Sequence, residues 1–321
     1  MRVAQKNRKK WLRITGAILF VLLIGAGVYG YSVYKSLTTA VDSMHKPIKR
    51  EISEKRIEKI ELPNKEPFSV LMLGVDERKG DKGRSDTMIV LTVNPDNNSV
   101  KMLSIPRDTR TEIIGRGKQD KINHAYAFGG VEMTMATVEN FLDIPVDYYI
   151  QINMEGFEDI VDAVGGVTVN NDLDFSLDGA HFPVGELHLN GDRALKFSRM
   201  RYEDPRGDFG RQIRQKEVIK AVIDSGGSMA SLTKYNEIFT ALGDNIKTNL
   251  TFDEMMDIQQ NYKTAASNIE PMSLNGNGKM INSVYYILVP EEEKQRVQTE
   301  LKSQLKLSSF ERTAEINKNI N

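Results

Sequence analysis

Residues 68–105 read FSVLMLGVDERKGDKGRSDTMIVLTVNPDNNSVKMLSI, and this stretch decides the fold class. Three apolar, β-branched-rich runs, 68–75, 87–93 and 100–105, are separated by polar turns carrying Gly, Pro and Asn. Runs this short and this apolar predict buried strands rather than helices. Working outward, the pattern alternates. Val131, Met135, Val138 and Leu142 share one face of a helix predicted over 130–143, which Pro145 stops. A strand over 148–152, a helix over 154–164 and a strand over 167–170 follow, the last entered through Gly165-Gly166. Asn190 reads as the cap of a helix over 191–200, and a longer helix starts near Phe209 and ends before Gly226-Gly227. Helical patterns over 228–242 and 252–267, a strand over 284–289 and a helix over 290–305 complete the series. Strands alternating with helices predict one α/β domain, 67–306, with a central sheet covered on both faces.

Ahead of that domain, residues 14–34 (ITGAILFVLLIGAGVYGYSVY) carry no charge and match the length of a bilayer-spanning helix. Arg2, Lys6, Arg8, Lys9, Lys10 and Arg13 precede it with no acid among them, so the positive-inside rule predicts a cytoplasmic basic stub, 1–13, with everything after Tyr34 outside. The apolar core is long for a signal peptide and no clean small-residue cleavage site follows it, which favours a retained anchor. Residues 35–66, rich in Lys and Glu, read as an extracellular stalk with helical character over 48–60, and 307–321 as a polar tail.

The net charge is −1, and six positive charges sit in the stub, so the exterior portion is acidic. That argues against general nucleic-acid binding, which needs a basic face. No cysteine is present, which excludes disulfides, thiolate metal sites and cysteine nucleophiles. His45, His124, His181 and His188 show no pairing at helical spacing, and neither a G-x-S-x-G elbow nor a P-loop occurs. Met133, Met135 and Phe141 read as core.

Three groups of residues could carry chemistry. Asp76 ends the first strand, and Arg84 and Asp86 stand before the second; two carboxylates there suit Mg²⁺ if substrate oxygens complete the shell. Arg107 and Asp108 of SIPRD (104–108) emerge where the third strand ends, at the edge where ligands of open α/β sheets gather. Residues 199–215, RMRYEDPRGDFGRQIRQ, hold Arg199, Arg201, Arg206, Arg211 and Arg214 against Glu203, Asp204 and Asp208. Arginine forks suit bidentate grip on phosphate, and a helix beginning there adds free N–H groups and its dipole. The plain alternatives are loop charges, a surface salt bridge and a neutralised helix start. Outside a membrane, where ATP is scarce, phosphate binding implies a substrate that brings its own phosphates, such as a lipid-linked pyrophosphate.

With LGVD (73–76), GRSDT (83–87), SIPRD (104–108), KINHAYAFGG (121–130) and GDFGRQIRQ (207–215), the chain resembles the LytR–CpsA–Psr family, and within it the LytR-type teichoic acid transferases of Gram-positive bacteria. The resemblance implies a three-layer α-β-α sandwich with an apolar tunnel for a polyprenyl chain. It implies a phosphotransferase that moves an anionic glycopolymer from undecaprenyl pyrophosphate to the C6 hydroxyl of N-acetylmuramic acid in peptidoglycan. Asp76 and Asp86 match the family's magnesium-linked acids. Arg84, Arg107, Arg199, Arg201, Arg211 and Gln215 match pyrophosphate-lining positions, with Lys121 and Asp208 nearby. Catalysis falls to Asp76, Asp86, Arg107 and Arg201. Lys216 stands where the motif commonly carries a further arginine; it keeps the charge, loses the fork and is assigned no role. A polyprenyl-pyrophosphate phosphatase and a non-enzymatic membrane receptor are the rival expectations; a stub without a cytoplasmic domain argues against the second.

Overall fold

The computed structural model describes residues 29–32, 34–76, 83–227, 243 and 245–307. The basic stub, most of the expected span (14–28 and 33), the helical pattern over 228–242 and the tail past 307 lie outside the described residues. Among the described residues no helix is long and apolar enough to cross a membrane.

The three apolar runs form an antiparallel meander: β1 (Phe68–Val75), β2 (Ser85–Asn94) and β3 (Ser99–Ser104). β6 (Tyr148–Ile152) lies parallel to β1, and β12 (Ile269–Met272) parallel to β3. β11 (Ile246–Thr248) pairs antiparallel with β6, giving the mixed order β11-β6-β1-β2-β3-β12. Alternating side chains divide the apolar content between two faces. Leu71, Leu73, Met88, Val90 and Leu103 pack under α1 (His124–Leu142) and α7 (Glu291–Gln304). Phe68, Val70, Ile89, Leu91 and Met102 pack under α4 (Asp208–Gly227), α5 (Phe252–Asn261) and α6 (Lys263–Ala266). Burial on both faces is why these strands carry unbroken apolar runs.

The remaining strands stand outside this sheet as small ladders: β4 (Arg110–Ile113) with β5 (Lys118–Lys121), β7 (Val167–Asn171) with β10 (Gly185–Leu189), β8 (Phe175–Leu177) with β9 (Ala180–Phe182), and β13 (Asn277–Ile281) with β14 (Val284–Leu288). α2 (Met154–Ala163) is capped by Asn153, whose side chain accepts from Gly156 N–H. Asn190 caps α3 (Gly191–Arg199) in the same way through Arg193 N–H, as its sequence position predicts. Thr251 and Glu254 form a reciprocal capping box on α5.

Several expectations change. α1 begins at His124 rather than Gly130, because helical turns on either side of Gly129 and Gly130 (φ 64°) join across a kink. The strand near 284–289 exists, but in the outlying β13–β14 hairpin. The segment 48–60 is not helical, and the stalk residues pack on the domain. Residues 34–44 form a helix whose Val41 and Met44 are buried against Ile246, and Lys46 N–H bonds Thr248 O on the sheet edge. Arg50 then pairs with buried Glu139 at 2.5 Å and Arg56 with Asp147 at 2.7 Å. The basic residues Lys49, Arg50, Lys55 and Arg56, which look like solvated spacer in sequence, find acidic partners on α1, at its C-terminal end and just ahead of β6. Met135 and Phe141 are core, as expected.

Candidate active site

The site lies where the ends of β1, β2 and β3 meet the start of α4. Antiparallel pairing sets Val75 opposite Ser85, so Asp76 and Asp86 stand at one end of the β1–β2 ladder, and Asp76 N–H points to Arg84 O at 3.4 Å. Ser104 pairs with Ile89, which leaves Arg107 and Asp86 each three residues beyond the same rung. Arg107 Nη1 reaches Asp86 Oδ2 at 3.1 Å. Asp108 Oδ1 receives Lys121 Nζ at 2.6 Å, joining the hairpin β4–β5 to the same charge group.

From the other side come residues about a hundred positions later. Asp208, in the first turn of α4, where a negative charge suits the helix dipole, lies 2.7 Å from Arg211 Nη2 and 3.8 Å from Arg201 Nε. Gln215, one turn after Arg211, donates to Thr87 Oγ1 at 3.0 Å. Burial works against the Arg107 charge, but Asp86, Asp108 and Asp208 outweigh it and hold its pKa above the ordinary guanidinium value. For Arg211 burial wins: its pKa falls, and the nearby Arg107 and Arg201 charges push it further while Asp208 and Asp86 oppose them. Three guanidinium groups and the Lys121 ammonium thus share the carboxylates of Asp86, Asp108 and Asp208. The Arg211–Asp208 ion pair is close but misaligned: Arg211 Nε and Asp208 Oδ1 are both buried and lack a hydrogen-bond partner. A buried donor left open beside clustered arginines is a place for an anion's oxygen.

A cleft runs inward from this cluster. Met72, Ile89 and Ile152 form its sheet wall, Phe157, Leu195 and Ile219 its helical wall, and Asp76, Asp86, Arg199 and Gln215 its polar end. Asp76 and Asp86 offer hard oxygens to a shared space, the donor type Mg²⁺ takes. No group of three His, Asp or Glu gathers around one point among the described residues, so these two would need substrate and water oxygens to complete a shell.

The structure therefore brings together Asp76, Asp86, Arg107, Lys121, Arg201, Asp208, Arg211 and Gln215, with exposed Arg199 at the cleft. Arg84 is exposed at the start of β2. Two members of the arginine cluster turn away from any phosphate. Arg206 is forked onto Asp172 and Asp204, and Arg214 is buried against Asp204, Phe197 O and Met200 O. Lys216, also buried, donates to Met272 O. Counting charges in a line could not separate these arginines, because their partners arrive only when the loop 200–207 folds back. Thr87, which holds Gln215, was missed for the same reason.

A family model described as the LytR_cpsA_psr family matches residues 31–303. The polyisoprenyl-teichoic acid–peptidoglycan teichoic acid transferase TagU of Bacillus cereus (strain ATCC 14579) is 54% identical over 302 residues, covering 94% of this chain and 99% of that protein. The crystal structure of Bacillus subtilis TagU aligns with a TM-score of 0.62 at 51% identity, over 75% of this chain and 97% of that one. TagT bound to LI-WTA aligns with a TM-score of 0.70 at 35% identity, over 81% of this chain and 99% of that one. The mixed sheet with its flanking helices, the five motifs and the charge cluster they form agree with these matches, and the chain belongs to the LytR_cpsA_psr family.

Proposed function

We propose that this protein is a phosphotransferase that moves an anionic glycopolymer, wall teichoic acid, from a polyprenyl-pyrophosphate carrier to peptidoglycan. The observation that carries this is the meeting of Arg107, Arg201 and Arg211 beside an apolar cleft, where Arg107 pairs with the cleft-lining Asp86 and the buried Arg211 Nε lacks an acceptor. One amphipathic lipid answers both features: pyrophosphate oxygens for the arginines, and a polyprenyl tail for the apolar walls. The teichoic acid transferases that this chain resembles over nearly all of its length support the same conclusion.

In the reaction, the C6 hydroxyl of an N-acetylmuramic acid residue attacks the phosphorus that bears the glycopolymer. A new O–P bond forms, the bond from that phosphorus to the bridging oxygen breaks, and undecaprenyl phosphate leaves with its electrons. The hydroxyl proton passes to a carboxylate, Asp76 or Asp86. Arg107, Arg201 and Arg211 hold non-bridging oxygens as charge moves toward the leaving group, the main lever in phosphoryl transfer. Mg²⁺ held by Asp76 and Asp86 would add further neutralisation of phosphate charge. Cleavage of the pyrophosphate drives the transfer, so no nucleotide is required. The uncharged segment 14–34 behind a basic stub makes the protein single-pass, with this site on the outer face beside both substrates.

The test supplies polyprenyl-pyrophosphate-linked polymer and peptidoglycan fragments to the purified protein and counts polymer attached against phosphate released. Attachment is expected, and Asp86→Ala should cut it by orders of magnitude with the fold intact. Release without attachment makes the protein a phosphatase; undiminished turnover of Asp86→Ala removes that acid, and activity after chelation removes the metal. Protease added to intact protoplasts should digest the domain; full protection would overturn the topology.

A further inference from the structure

Arg214 and Asp204 form the most deeply buried ion pair among those described, their side chains 1% and 0% exposed. Every guanidinium nitrogen of Arg214 is engaged: Nη1 donates to Asp204 Oδ2 at 2.6 Å, Nη2 to Met200 O at 2.6 Å, and Nε to Phe197 O at 3.1 Å. Its Cζ lies 5.4 Å from the ring centroid of Phe175 and 6.0 Å from that of Phe197, two rings that themselves touch. Asp204 in turn accepts from Arg206 N at 2.8 Å and from Arg206 Nε at 2.9 Å.

The backbone points that Arg214 grips bracket the phosphate arm in sequence. Phe197 lies two residues before Arg199, Met200 directly precedes Arg201, and Asp204 opens the turn that leads through Gly207 (φ 59°) into Asp208. Arg214 itself is one helical turn beyond Arg211 on α4. Gly210 is also part of this arrangement, since a Cβ there would sit 1.8 Å from Asp204 Oδ2. A buried ion pair is a poor source of net stability compared with apolar packing, while its directional bonds fix geometry.

We propose that Asp204 and Arg214 are positioning residues for the transfer reaction: the pair fixes the loop 200–207 and, through it, sets Arg201 and Asp208 against Arg107 and Arg211. The inference rests on the assignment of Arg201 to phosphate. Asp204 and Arg214 touch no substrate; they act through Arg201.

The experiment is a double-mutant cycle on the full-length protein in detergent, with polyprenyl-pyrophosphate-linked polymer as donor and peptidoglycan fragments as acceptor. kcat and KM are measured for the parent, Asp204→Asn, Arg201→Ala and the double variant, below the melting temperature of each. Misplacement of a catalytic group by about 1 Å costs as much as a hundredfold, so Asp204→Asn should lower kcat by roughly ten- to a hundredfold with little change in donor KM. In the Arg201→Ala background the same change should have little further effect. An equal loss in both backgrounds, or parent-like kcat in folded Asp204→Asn, overturns the proposal. If Asp204→Asn does not fold, Arg214→Lys, which keeps the charge and loses the fork, takes its place in the cycle, and the same two results overturn the proposal. Parent-like activity of Arg201→Ala alone overturns the phosphate assignment, and the positioning role with it.

Discussion

Gln215 Nε2 and Thr87 Oγ1, 128 residues apart in the chain, meet at 3.0 Å. This bond ties α4 to β2 next to Asp86 and one turn beyond Arg211, so it locates the arginine-bearing helix against the carboxylate-bearing sheet. Gln215→Leu keeps the size and removes the donor. The lost bond should cost about 0.5–1.5 kcal/mol of stability. Transfer should fall by more than that, because the two halves of the site lose their common tie. Denaturant melts and transfer rates on one preparation check this; a rate unchanged against a lowered stability would make the bond purely structural.

Arg107 faces Asp86 at 3.1 Å and Asp108 at 3.8 Å with a planar fork that lysine cannot reproduce. A charge-assisted bond is worth about 1.5–3 kcal/mol, so Arg107→Lys should weaken binding of polyprenyl pyrophosphate roughly tenfold to a hundredfold. Binding of polyprenyl monophosphate should change less. Equal affinity of parent and variant for the pyrophosphate lipid would place Arg107 outside the substrate site.

Gly210 sits inside α4, where alanine would ordinarily be the better helix former by about 1 kcal/mol. Here the added methyl would overlap Asp204 Oδ2 at 1.8 Å. Overpacking of a buried, fixed group costs about 1–3 kcal/mol, so the overlap wins. Gly210→Ala is expected to melt at a lower temperature than the parent, and a higher melting temperature would show that the loop 200–207 can yield.

The same carboxylate predicts an acid limb in stability. Burial alone would raise the Asp204 pKa, but hydrogen bonds from Arg206 and Arg214 override it and hold the group well below the usual carboxylate range. A depressed folded-state pKa contributes stability that is complete above the unfolded value, about 3.9, and is lost as pH falls toward the folded one. The stability gap between the parent and Asp204→Asn should therefore hold steady from about pH 7 to 5 and narrow below about 4. Chemical melts at three pH values measure it; a gap as wide at pH 3 as at pH 7 would contradict the assignment.

Sequence periodicity found β1, β2, β3 and β6 within two residues of their ends, because strands buried on both faces must be apolar at nearly every position. It also found α3 from Asn190, because a cap is a local hydrogen bond. It missed β11 and β12, which extend the central sheet although they are three and four residues long. Strands that short carry no period of their own; the edge they join is what makes them strands. The stalk misled for a related reason, since the partners of Arg50 and Arg56 lie about ninety residues away.

By itself the sequence determined the α/β class, the strand ends that bear Asp76, Asp86 and Arg107, and the family, since each depends on local pattern or on ordered motifs. Only the tertiary structure decided which arginines join the charge cluster beside the cleft. Arg201 and Arg211 share Asp208, and Arg211 Nε keeps an open donor, whereas Arg206 and Arg214 are consumed by Asp172 and Asp204. All four look alike in the chain. What separates them is desolvation and the direction of each hydrogen bond, and both are fixed only when the loop 200–207 closes over the start of α4.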